Sequence, residues 1–439
     1  MAKLKMAIIG GGSSYSPELV DGIIQNHSSL PVDELVLIDL PQAEHKLRTI
    51  FSLTERMVQK AGLNISVATS FDRLNALKEC SYVITQFRVG GLEARAKDEK
   101  IPLEYGLLGQ ETTGAGGFAK ALRTVPIALD IARDMEQVCP EAWLINFTNP
   151  SGLVTQAVND HSAIRCIGLC NVPINMLRNT ASFLNIPTDQ LSMRFIGLNH
   201  LSFVDQVVFR SKNQLPTLLR DPSFIDHIAK YLQSSEGSKQ LVQGLQMIPS
   251  PYLYYYYYEK EAIEKAQSDI RYGKGTRAQQ VMAVEKDLFQ LYEDPNLDRK
   301  PEQLSKRGGS LYSEAAISLI SSIQNNLGEI HVVNVPNQGS VKGLPMDAVI
   351  ETNCYVDQSG AHPLSIGLLP DSIAPLIQRA KQYETYTIEA AVQGCKQKAY
   401  LALLTNPLVH FASQIPFLMD ALLKENEQYL FQFFTKEEE

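Results

Sequence analysis

Over the first 170 residues, short runs of Val, Ile and Leu alternate with longer stretches whose apolar positions recur every three to four residues. A strand buried on both faces shows no polar side, so continuous apolar runs set between amphipathic helices predict a parallel sheet wrapped by helices. Strands are predicted at 4–9, 34–39, 65–68, 82–87, 142–147 and 165–169, and helices at 17–25, 44–60 and 117–137. Past residue 170 the alternation breaks down. Strand-like segments at 195–196, 203–209, 330–335 and 348–355 are separated by long helical stretches, and 371–434 reads as mostly helix. The expected architecture is α/β: a doubly wound parallel sheet over residues 1–170, then an α+β catalytic domain over 171–439, mostly helical toward its C-terminus. Sheets of this kind bind ligands beyond the carboxyl ends of their strands, and the two halves are expected to pack closely around a site.

Composition narrows the class without changing this picture. A chain of 439 residues exceeds one ordinary domain, and 44% hydrophobic with 20% charged residues excludes disorder and fibrous repeats. With 40 Lys+Arg against 48 Asp+Glu the net charge is −8, which argues against a general nucleic-acid or anionic-membrane surface and leaves room for one small basic pocket. Six irregularly spaced cysteines are too sparse for a disulfide scaffold and read as reduced thiols. The apolar stretch 6–9 is too short for a secretion signal, and no apolar run approaches the ~20 residues needed to span a bilayer. A soluble, cytoplasmic protein is expected, with Glu437, Glu438 and Glu439 as a solvated end.

Candidate chemistry begins directly after the first strand. In Gly10-Gly11-Gly12-Ser13-Ser14-Tyr15, glycines permit a sharp turn and bring backbone N–H groups and a helix terminus against a pyrophosphate. Tyr15 stands where a dinucleotide-binding fingerprint has its third glycine, so a tight structural turn is the competing reading. Asp39, at the end of the second strand, is placed to accept hydrogen bonds from an adenosine ribose and to repel a 2′-phosphate; capping the next turn is its alternative. Together they make a Rossmann-like domain that takes NAD in preference to NADP, with Gly10, Gly11, Gly12, Ser13, Ser14 and Asp39 as the cofactor-binding candidates.

Cys170 follows the sixth strand and His200 lies in a small polar break, so a thiolate and an imidazole form a two-point site for a divalent metal, open to substrate oxygens and water. Apolar filling by the thiol and structural hydrogen bonding by the imidazole are the competing readings. Tyr252 heads a run continued by Tyr254 to Tyr258, a surface suited to sugars from which one phenol could serve as a base; packing between helices competes. Arg88 and Arg277 stand in small or polar surroundings and suit bidentate phosphate binding, against surface salt bridging.

These segments, with Gly109-Gln110-Glu111-Thr112-Thr113-Gly114, Asn146-Phe147-Thr148-Asn149-Pro150, Cys170-Asn171-Val172-Pro173 and Gly197-Leu198-Asn199-His200, resemble the NAD- and metal-dependent family 4 glycoside hydrolases nearly end to end. The likeness continues through Arg307-Gly308-Gly309-Ser310 and Asn353-Cys354-Tyr355-Val356, and Cys-Asn-Val-Pro and Pro-Tyr-Leu look like the 6-phospho-β-glucosidase branch. The resemblance implies hydride transfer from C3 of a 6-phosphoglucosyl ring to NAD⁺, loss of the acidified C2 proton, elimination at C1, addition of water and return of the hydride. It implies Cys170 and His200 as ligands of the metal, with Mn²⁺ expected, Tyr252 as the C2 base and Glu111 as the carboxylate near it. It also implies Asn149 as a sugar-hydroxyl contact and Arg88 and Arg277 as substrate and phosphate anchors. Asn171 departs from branches acting on α-linked sugars, which carry an acidic residue or His there, so the general acid is unassigned and water is a candidate. The expected substrate is a phosphorylated β-glucoside such as cellobiose 6-phosphate, and the expected assembly a homodimer or homotetramer. The alternatives are a 6-phospho-α-glucosidase or α-galactosidase of the same family, an NAD-dependent hydroxy-acid dehydrogenase, and a non-catalytic sensor.

Overall fold

A computed structural model describes residues 3–233, 235–307 and 311–434. Gly308, Gly309, Ser310 and the terminal Glu437, Glu438 and Glu439 lie outside the described residues.

Six strands, β1 (Lys5–Ile9), β2 (Glu34–Ile38), β3 (Ser66–Ser70), β4 (Tyr82–Thr85), β5 (Trp143–Asn146) and β6 (Arg165–Gly168), pair in parallel in the order β3-β2-β1-β4-β5-β6. That is the doubly wound dinucleotide-binding order. Burial on both faces accounts for the apolar runs: in β1, Met6 and Ile8 join one core cluster while Ala7 and Ile9 join the other. Some predicted strands run past the observed ends because the apolar pattern continues into buried loops; Phe147 is 8% and Leu169 2% exposed.

The sheet continues past β6. Strand Glu329–Pro336 pairs antiparallel with β6 at Asn334↔Gly168, strand Val349–Asp357 pairs with it from Glu329↔Val356 to Pro336↔Val349, and Gly360–Pro363 forms the edge. Three strands from beyond residue 170 thus complete a nine-stranded sheet begun before it. A separate antiparallel hairpin, β7 (Leu191–Leu198) and β8 (Leu201–Phe209), turns through Asn199 and His200. Asn353 pins its stem, accepting the Phe195 N–H at 2.8 Å and donating to the Met193 carbonyl at 2.9 Å.

The tail is helical, as expected, with Ala374–Gln393, Lys396–Thr405 and Ile415–Glu425 packing Leu403, Leu418 and Leu422 around Phe118 and Leu122 of helix Gly114–Val138. Arg123 of that helix is fully buried; it makes a two-pronged pair with Asp98 at 2.8 and 2.5 Å and donates to Asn426 Oδ1 at 3.1 Å. Among the described residues no helix is long and apolar enough to cross a membrane.

Candidate active site

A cavity of about 1020 Å³ opens beyond the carboxyl ends of β1, β2, β4 and β5, where the strand order reverses. Its volume suits a dinucleotide with room to spare for a small second ligand. Gly10, Gly12, Ser13 and Asp39 line one end; Arg88, Lys120, Asn149 and Tyr312 line the other.

At the first end the chain must turn sharply between β1 and helix Ser16–Gln25. Gly10 takes φ +85°, where a side chain is disfavoured, and a Cβ on Gly12 would stand 3.0 Å from Asp39 Oδ2. Asp39 accepts the Gly12 N–H through Oδ2 and the Leu40 N–H through Oδ1, each at 2.8 Å, so it holds the loop as well as lining the cavity. Two of the six cofactor candidates are turned away from the cavity. Gly11 is tucked onto β2, its N–H on the Ile38 carbonyl at 2.9 Å, and the Ser14 hydroxyl donates to Glu285 at 2.8 Å. Tyr15 is buried with its ring edge-on to Tyr312, so the aromatic side chain builds the cavity wall where glycine was the expected residue.

At the other end three separate loops converge. Cys170 lies two residues past β6, His200 sits at the hairpin tip with φ +63°, and Tyr252 precedes the short helix Leu253–Tyr257. The His200 and Tyr252 rings stack at 3.7 Å with 5° between their planes. The Cys170 sulfur weighs electrostatically on the Tyr252 phenol, and the Asn199 and Tyr312 side chains favour its ionised form. None of the three lines the cavity itself; Tyr312, which does, feels Cys170 and Tyr252 electrostatically and so marks the wall they stand behind.

Burial sets the protonation of all three. It pushes His200 down to about 3, leaving a neutral imidazole, and the Cys170 thiol up to about 12, with Glu351 adding to the rise. Burial, Cys170, Tyr255 and Glu111 together hold the Tyr252 phenol well above its ordinary value. A neutral imidazole beside a thiol that needs a cation to lose its proton is a donor pair able to hold a divalent metal whose other positions are filled by oxygen ligands. Among the described residues no group of three or more His, Cys, Asp and Glu could hold a metal, so a metal here would take its remaining ligands from substrate and water. The Asn149 Oδ1 is buried without a protein partner among the described residues, an acceptor left for a ligand.

Glu111 is enclosed by three cations: Arg88, Lys120 at 2.8 Å and Arg95 at 2.9 Å. Burial would raise its carboxyl, but Arg88, Lys120 and Arg95 outweigh that and hold it well below the carboxylate range. Burial and Arg88 push Lys120 down to about 7 against the pull of Glu111. Arg95 is shared with Glu99 at 2.7 Å, so two carboxylates stand among three basic side chains, a local cluster of basic groups in an acidic chain. Among the described residues Arg277 makes no ion pair with this cluster; the first residue of helix Arg277–Tyr292, it is exposed and acts electrostatically on Tyr255, as do Arg95 and Glu111. Lys120 and Arg95 were missed from sequence. Lys120 does carry a signal, a lone charge inside the apolar run Phe118-Ala119-Lys120-Ala121-Leu122, whereas Arg95 lies in a polar helix and carries none.

A family model for family 4 glycosyl hydrolases matches residues 5–186, and one for their C-terminal domain matches residues 195–409. The chain is 45% identical over 437 residues to a probable 6-phospho-beta-glucosidase of Bacillus subtilis, covering 99% of this chain and 98% of that protein. It is 41% identical to a 6-phospho-beta-glucosidase of Escherichia coli, covering 98% and 96%. Its fold is similar to the 6-phospho-beta glucosidase of Thermotoga maritima solved with manganese, NAD⁺ and glucose-6-phosphate, with a TM-score of 0.87, 36% identity and coverage of 97% and 99%. With both family models matched in chain order over a parallel sheet and its C-terminal extension, the chain belongs to the family 4 glycosyl hydrolases.

Proposed function

We propose that the chain is a 6-phospho-β-glucosidase that hydrolyses phosphorylated β-glucosides, such as cellobiose 6-phosphate, using NAD⁺ and a divalent metal, Mn²⁺ in the first place. The observation that carries this reading is the convergence of Cys170, His200 and Tyr252 beside a cavity whose far end is the glycine loop. The activity of the relatives supports it. When bound, NAD⁺ would supply a reversible hydride acceptor, and a divalent metal would supply positive charge beside the sugar hydroxyls.

The chain's own residues divide the remaining work. Gly10, Gly12 and Ser13 receive the pyrophosphate with the start of helix Ser16–Gln25, Gly11 and Ser14 shape that loop, and Asp39 meets the ribose. Cys170 and His200 would hold the metal. Tyr252 takes the C2 proton at its phenol oxygen, and because that phenol is protonated in the chain alone, removal of the proton depends on positive charge held beside it. Glu111 stays ionised and fixes Arg88, Arg95 and Lys120 around the sugar phosphate; Asn149 accepts from a sugar hydroxyl; Arg277 anchors the phosphate from the exposed side. The thiol ligand requires a reducing compartment, which we take to be the cytoplasm, and the assembly to be a homodimer or homotetramer.

The test is hydrolysis of 4-nitrophenyl 6-phospho-β-glucoside under reducing conditions. Nitrophenol should be released with trace NAD⁺ and Mn²⁺ and without accumulating NADH. Full activity after chelation and NAD⁺ removal would overturn the proposal, and NADH formed one for one with substrate would indicate a dehydrogenase. Phosphorylated α-glucosides and unphosphorylated β-glucosides should be poor substrates.

A further inference from the structure

The hairpin tip that carries His200 is held from below by a residue none of the chemistry above employs. Strand Val349–Asp357 lies against the hairpin, and Glu351 and Asn353 project from the same face of it. Asn353 grips the stem through backbone groups of Phe195 and Met193. Glu351, 1% exposed, grips the tip: its Oε1 accepts from Asn199 Nδ2 at 3.1 Å and its Oε2 from the Ser202 hydroxyl at 2.7 Å. These two donors flank His200, whose backbone takes the left-handed conformation, φ +63°, that turns the chain at the hairpin tip. The Asn199 side chain also faces sideways, favouring ionisation of the Cys170 thiol and accepting the Gly152 N–H at 3.4 Å.

We propose that Glu351 is a positioning residue that sets the separation and orientation of Cys170 and His200, acting through Asn199 on the thiol arm and through Ser202 on the imidazole arm. The inference rests on Cys170 and His200 being the metal ligands. One carboxyl with both oxygens engaged fixes both arms, because neither donor can move without breaking a buried hydrogen bond. A metal site built from only two protein donors depends on their relative placement more than a site of four, since no further protein ligand restores it. Glu351 itself touches neither the cavity nor the glycine loop.

The experiment measures Mn²⁺ affinity by electron paramagnetic resonance titration of the NAD⁺-saturated enzyme, alongside NADH affinity by fluorescence. Glu351→Ala should weaken Mn²⁺ binding roughly 10–100-fold, the range for residues that orient metal ligands, and leave NADH affinity unchanged. Glu351→Gln keeps the shape and one acceptor oxygen, so it should fold as the parent does and lose less Mn²⁺ affinity than the alanine variant. The effects of Glu351→Ala and Asn199→Ala should fall short of adding in the double variant, because both break one connection. Folded Glu351 variants with the parent's Mn²⁺ affinity and spectrum would overturn the proposal. If Glu351→Ala does not fold, Glu351→Gln with unchanged Mn²⁺ affinity overturns it just as firmly. Cys170→Ser separates the two levels: parental Mn²⁺ binding in that variant refutes the metal-ligand reading itself, whatever Glu351 does.

Discussion

At the scale of single residues, burial decides what each group in the site can do. Tyr252 is stacked flat on His200, so removing only its oxygen leaves the packing intact. Tyr252→Phe should lower kcat by about 10²–10⁴-fold, as expected for loss of a general base, while Mn²⁺ and NADH affinities stay at parental values. Equal kcat in the two proteins would remove the base from Tyr252. Lys120 gives a pH signature. Its folded-state value is about 7 against an ordinary 10.5, so between those values the folded chain has released a proton the unfolded chain retains. Stability contributed by this group therefore rises as pH climbs through that window. The thermal midpoint of the ligand-free protein should rise less from pH 7 to pH 9 in Lys120→Met than in the parent, and identical slopes would contradict the assignment. Cys170, His200 and Tyr252 were legible as residue types with suitable chemistry. Glu351 was not, since a carboxylate in a strand reads as a solvated face until the element covering it is known.

At the scale of elements, the glycine loop shows how a local motif is legible while its facing is not. All of its residues follow β1 as predicted, yet Gly11 and Ser14 point into structure and only their neighbours line the cavity. The reason lies in β2, which no local pattern locates relative to the loop. A Cβ on Gly11 would meet Leu37 Cβ at 2.8 Å and the Ile38 backbone nitrogen at 2.9 Å, whereas one on Gly12 meets the Asp39 side chain at 3.0 Å and the Leu47 nitrogen at 3.1 Å. Gly11→Ala must shift a strand and should cost both thermal stability and NADH affinity. Gly12→Ala asks a few tenths of an ångström of its neighbours and should be the milder in a fluorescence titration; the reverse order would show that the loop is not seated on β2 as described. The hairpin β7–β8 makes the same point: both strands were expected, but not that their turn would deliver His200 to Tyr252.

At the scale of the whole molecule, the halves are fastened by the shared nine-stranded sheet and by the helical tail. Arg123 ties helix Gly114–Val138 to Asp98 and to Asn426 near the end of the chain, with neither charge exposed. Arg123→Ala leaves the Asp98 carboxylate buried and unpaired, and should destabilise by roughly 3–5 kcal/mol, seen as a lower midpoint in urea unfolding. A shift no larger than that of an exposed pair such as Arg48–Glu44 would deny the connection this weight. Residues 86–93 with Lys120, Ile127 and Ile131 supply one wall of the cavity, and Tyr312 and Tyr429 supply another from the far half of the chain, so loosening the tail should also weaken cofactor binding.

Periodicity and residue type in the chain by themselves determined the six parallel strands, the glycine turn, the helical tail and the kinds of side chain available for the chemistry. Those are local properties, set by which faces of each element must avoid water. Only the tertiary structure decided that strands from beyond residue 170 extend the first sheet, that Cys170, His200 and Tyr252 meet, and that Lys120 and Arg95 enter the charged pocket while Arg277 stays exposed. Those outcomes depend on pairings between distant segments, which a period of two or of 3.6 residues does not encode.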